Sequence, residues 1–117
     1  MPGPSSANDD IAAIMALLRK HFTPDPGLGA RVKFVYKGGG TVTLDASKNP
    51  VEVHDRDEPA ECISKLDIRD HLKILRGELN QQEAFRSGKL FLSGDVHAGA
   101  RYSILLEHML KGERPGS

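Results

Sequence analysis

The stretch from Gly77 to Gly94 constrains the fold most. Before it, Ile68, Leu72, Leu75 and Leu79 fall at i, i+4, i+7 and i+11, one stripe of a helix opened by Asp67. Gly77 can end that helix in a left-handed conformation. Gln81 to Arg86 has room for a short second helix, closed by Gly88, with Phe85 as its anchor on the core. Leu90 and Leu92 then alternate with Lys89, Phe91 and Ser93, a strand that stops at Gly94. Asp95 can cap a last helix whose stripe is Ala98, Tyr102, Leu105 and Met109, with Leu106 and Leu110 beside it.

The first half is richer in strands. Asn8 or Asp9 can cap a helix starting near Asp10, with Ile11, Ile14, Met15, Leu18 and Phe22 on one face. Arg19, Lys20 and His21 suit its C-terminal dipole. Thr23 to Gly29, with Pro24 and Pro26, reads as a loop. Val32, Phe34 and Tyr36 alternate with Lys33 and Lys37; Gly38-Gly39-Gly40 turns the chain; Val42 and Leu44 alternate with Thr41, Thr43 and Asp45, so the pair predicts a hairpin. Asn49-Pro50 breaks the pattern, Val51 and Val53 suggest a third strand, and Asp55 to Pro59 a charged turn. Ala60 to Leu66 reads as a fourth strand with Cys62, Ser64 and Leu66 facing inward. The order α-β-β-β-β-α-α-β-α predicts an α+β domain rather than a parallel α/β sheet. One domain over residues 9–111 is expected, between tails at 1–8 and 112–117 rich in Pro, Gly and Ser.

Composition removes several functions. Lys+Arg and Asp+Glu are both 16, so the chain lacks the basic excess that nucleic acid or an anionic membrane would attract. The lone Cys62 cannot form an intramolecular disulfide, which fits the reducing cytoplasm. No metal-ligand spacing or apolar run of about 20 residues is present, and Met1 to Ser6, without a charged and then apolar stretch, is not expected to act as a secretory signal. Gly38-Gly39-Gly40-Thr41 lacks the Lys and the helix of a phosphate loop. His54, His71, His97 and His108 are scattered, and His71 and His108 fall on polar helix faces, so solvated histidines are expected. Cys62 reads as a small inert core group.

The ordered set Gly77-Glu78-Leu79-Asn80, Ala84-Phe85 and Gly88-Lys89-Leu90-Phe91-Leu92-Ser93-Gly94-Asp95 resembles the sterol carrier protein family. The resemblance runs over roughly Arg31 to Leu110. Gln81 stands where the family often has Pro, and Ser64 where an apolar residue is usual. The resemblance implies a twisted, largely antiparallel five-stranded sheet with helices on one face, enclosing an apolar cavity. It implies a cavity lined from the sheet by Phe34, Val42, Leu44 and Leu92, and from the helices by Leu72, Leu75, Leu79, Phe85, Leu105 and Met109. Relatives bind fatty acids, acyl-CoA or sterols, or hold a quinone precursor as accessory factors.

Periodicity alone does not distinguish a cavity lining from a filled core. A lipid binder needs no catalytic group and no cofactor: each buried methylene contributes about 0.8 kcal/mol, so a long chain gains on the order of 10 kcal/mol before the costs of immobilisation. The expectation is a non-catalytic carrier or presenter of a fatty acid, acyl-CoA or sterol-like lipid, compatible with transient membrane contact, its oligomeric state open. The alternative is an accessory module that holds a hydrophobic intermediate for partner enzymes, or an interaction scaffold with a filled core. An enzyme using His71 or His97 as base is a third option.

Overall fold

The computed structural model describes residues 7–22, 27–48 and 50–112. The element order is α1 (Ala7–Phe22), β1 (Arg31–Tyr36), β2 (Thr41–Asp45), β3 (Glu52–His54), β4 (Cys62–Leu66), α2 (Ile68–Leu75), α3 (Gln81–Arg86), β5 (Leu90–Gly94) and α4 (Val96–Leu110). This is the predicted α+β order. The expected tails lie outside the described residues except for 7, 8 and Gly112, and so do Asn49 and the first four residues of the expected loop at Thr23 to Gly29. α1 starts at Ala7 rather than near Asp10. The expected caps, Asn8 or Asp9, therefore lie within the helix rather than ahead of it, and Asp9 and Asp10 sit in its first turn, where their charge favours the helix dipole.

The five strands form one sheet in the order β3-β2-β1-β4-β5. Every pair is antiparallel except β1 with β4, where Phe34 lies opposite Ser64. That parallel pair forces the chain to return from β3 past β2 and β1 before β4 begins. The charged segment after β3 makes this return and is pinned on the way. Thr43 Oγ1 donates to the Arg56 carbonyl at 3.1 Å, Lys33 Nζ meets Asp57 Oδ1 at 2.7 Å, and the Arg31 N–H donates to Glu61 Oε1 at 3.1 Å. Asp45 is also buried on β2. Burial alone would push its carboxyl up, but hydrogen bonds from Ser47 and from Arg31 outweigh that and hold it below the usual carboxylate range.

The opposite sheet face is apolar. β1 presents Val32, Phe34 and Tyr36, β2 Val42 and Leu44, and β4 Cys62, Ser64 and Leu66, all buried. The predicted inward register of β4, including Ser64, holds. α1, α2 and α4 cover this face, with Ile14, Leu18, Phe22, Leu75, Leu106 and Ala98 buried against it.

Two glycines act as expected. Gly77 takes φ 79° just after α2, and the next two amides both donate to the Lys73 carbonyl. Gly94 has φ 85°, and a Cβ there would meet the Glu61 carbonyl oxygen at 2.3 Å. Only glycine lets the end of β5 pass that close to the start of β4. Asp95 then donates its N–H to the same carbonyl and caps α4 through the His97 and Ala98 amides.

Candidate functional site

Phe34 is the centre of the interior. Its ring lies 4.3 Å from His71 of α2 and 5.4 Å from Tyr102 of α4, and Tyr102 stacks on Phe22 of α1 at 5.3 Å. One aromatic cluster thus joins the sheet to all three covering helices. It contains polar atoms. The Tyr36 hydroxyl and His71 Nδ1 share a hydrogen bond of 2.7 Å. Burial pushes His71 down to about 3, so the imidazole is neutral at physiological pH. Burial also pushes up both phenols, and for Tyr36 the nearby Tyr102 adds to it. His71 Nε2 and the Tyr102 hydroxyl are buried and have no hydrogen-bond partner among the described residues.

His71 was expected on a solvated face, and the structure corrects this: the ring is 1% exposed. α2 packs on α1 and, through His71, on Phe34 and Tyr36 of β1, so its buried arc takes in His71 and Ile74 beside the stripe. His54 is also buried, with Nε2 2.8 Å from Glu58 Oε1 and Nδ1 accepting from the Arg56 N–H. The predicted anchor of α3 is corrected as well. Phe85 is 51% exposed, and Ala84, 0% exposed, faces the core in its place.

Three grooves among the described residues follow seams of the helices. The largest, about 590 Å³, lies among α1, α2 and α4, with Leu17, Leu75, Met109 and Leu110 as apolar walls and Lys20 and Arg76 beside them. A second, about 380 Å³, runs between α3, β5 and α4 and is lined by Phe85, Leu90, Leu92 and Ile104. A third, about 340 Å³, is lined by Ile74, Leu79, Leu106 and Leu110. Gln81 and Ser103 border both of the smaller grooves, and Gln81 Nε2 donates to Ser103 Oγ between them.

The residues singled out from the sequence are distributed over these features. Phe34, Val42, Leu44 and Leu72 are in the packed interior. Leu75 and Met109 belong to the interior and also reach the largest groove. Phe85 and Leu92 line the second groove, and Leu79 the third. Leu105 is half-buried against the edge of the core. Sequence reasoning missed the Tyr36–His71–Tyr102 cluster. Both tyrosines stood on predicted inward positions, so their hydroxyls were the available signal; nothing local marked His71 as their partner. Among the described residues, no three His, Cys, Asp or Glu side chains gather to hold a metal, and no helix is long and apolar enough to cross a membrane.

Comparison with known proteins accords with this architecture. Among curated sequences no relative is similar enough to count as a match. Among solved structures, the sterol carrier protein domain 2 of Helicoverpa armigera has TM-score 0.74 and 16% identity, covering 94% of this chain and 96% of that one. The UbiJ-SCP2 ubiquinone synthesis protein has TM-score 0.64 and 21% identity, covering 95% of this chain and 98% of that one. Palmitated SCP2L2 from Aedes aegypti has TM-score 0.59 and 21% identity, covering 89% and 96%. At these identities the structures share the fold. The sequence pattern of the SCP-2 sterol transfer family, whose domains generally bind or transfer lipids, matches residues 26–107. With its sheet, its helical cover and this match over most of its length, the chain belongs to the SCP-2 sterol transfer family.

Proposed function

We propose that this chain binds a fatty acid, acyl-CoA or sterol-like lipid between its sheet and helices, and carries or presents it without altering it. The observation that supports this most is the family match over residues 26–107 on a sheet whose apolar face is covered by three helices with apolar seams. The ligand would contact Phe34, Val42, Leu44 and Leu92 of the sheet, and Leu72, Leu75, Leu79, Phe85, Leu105 and Met109 of the helices. Entry is through the largest groove, where Leu75 and Met109 connect the surface to the interior. An anionic head group would remain at its mouth, beside Lys20 and Arg76. The palmitated neighbour supports an acyl ligand. The half-exposed Phe85 and Ile104 suit brief contact with a membrane during loading. The lone buried Cys62 suits the cytoplasm as the site of action.

A second reading is an accessory module that holds a hydrophobic biosynthetic intermediate, such as a quinone precursor, for partner enzymes. The ubiquinone synthesis protein among the structural neighbours favours it. Recovery of biosynthetic enzymes with the tagged protein would select this reading.

Native mass spectrometry of the purified protein and titration with a fluorescent fatty acid test the binding itself. The expected results are a co-purified lipid and an affinity of about micromolar or better, equivalent to roughly 8 kcal/mol. Leu105→Arg, at a half-buried position, is expected to weaken binding at least about tenfold while unfolding stays cooperative. Absence of binding by every apolar probe would sink the proposal.

A further inference from the structure

The Tyr36–His71–Tyr102 cluster is costly as mere filling. Tyr36 is 3%, His71 1% and Tyr102 2% exposed. If the Tyr36 hydroxyl donates to His71 Nδ1, the neutral imidazole carries its proton on Nε2, and every polar atom of that pair is used except this N–H. The Tyr102 hydroxyl, on the other ring packed against Phe34, is in the same position. Two buried donors with no acceptor among the described residues, on different elements around one aromatic ring, are uncommon in native interiors. Phenylalanine at 71 and 102 would fill comparable space without that penalty.

We propose that His71 Nε2–H and Tyr102 O–H form a head-group site inside the sheet–helix interior for an uncharged oxygen, a carbonyl or hydroxyl, on an otherwise apolar ligand. This rests on the reading that the interior holds an apolar molecule. The oxygen accepts from both donors and satisfies the cluster. An ionised carboxylate is excluded, because no charged side chain belongs to the cluster and burial keeps His71 neutral, so its charge would have no partner. Neutral ligands therefore enter head first, and anionic ones keep their head at the groove mouth.

The test uses dodecan-2-one, dodecan-1-ol and dodecanoate, each displacing a fluorescent fatty acid. Tyr102→Phe, which removes one oxygen, is expected to weaken the ketone and the alcohol about tenfold and to change dodecanoate less than about twofold. Equal weakening of all three, or no change in any, overturns the head-group site. If the wild type binds none of them, the lipid-binding reading itself fails. A second measurement uses the unaltered protein. Dodecan-2-one is expected to shift the imidazole ¹⁵N signal of His71 Nε2, and dodecanoate to leave it in place; an unmoved signal with bound ketone also overturns the proposal.

Discussion

α2 and α3 are consecutive short helices that begin in the same way. Asp67 accepts from the Arg69 amide and Asn80 from the Glu83 amide, each satisfying an orphan donor of the first turn. Behind the caps they differ. α2 buries His71, Leu72, Ile74 and Leu75, whereas α3 buries only Gln81 and Ala84 and leaves Phe85 in solvent. The cause is their surroundings. α2 packs against α1 and reaches β1 through the Tyr36–His71 bond, while α3 touches mainly β5, the edge strand. Cap chemistry is local and similar in both. The number of packed neighbours decides which side chains count.

Three measurements sharpen this contrast or break it. The largest effect is expected from Leu75→Ala, a side chain 1% exposed, which should cost about 3 kcal/mol in urea unfolding. Next is acid. His71 has a folded-state value of about 3, below its unfolded 6.5, so the unfolded state binds more protons between these values and stability falls as pH drops through this window. The loss between pH 7 and pH 5 should be about 2 kcal/mol, and His71→Phe should remove that part of the slope. The smallest effect belongs to Phe85→Ser on α3, expected within about 0.5 kcal/mol of wild type. If Phe85→Ser costs as much as Leu75→Ala, the two helices are equally integrated and the contrast is wrong.

The contrast also marks how far the sequence could be read. Element order, the Asp67 and Asp95 caps, the Gly77 and Gly94 breaks and the inward register of Ser64 were legible because each depends on neighbours close along the chain. Burial of His71 depends on Tyr36, 35 residues away, and no period encodes such a pair. Phe85 misleads for the opposite reason: a large apolar letter says nothing of whether a neighbour exists to cover it. The candidate lining was legible as apolar positions. Their division among a packed interior and three grooves was not, because helix seams are a property of how elements meet.

The parallel pairing of β1 with β4 has a consequence in time. β1, β2 and β3 can pair through short local turns as soon as they are made, but β1 gains its second neighbour only after the return segment has passed behind the sheet. β5 follows only after two helices, and α4, which supplies Ala98, Tyr102, Leu106 and Met109 to the core, comes last. Until α4 docks, the part of the apolar sheet face that it covers, over β1 and β4, is exposed. A nascent chain therefore passes through a stage with a hydrophobic surface and a ready strand edge, and the speed with which its last helix closes sets how long it is exposed to aggregation.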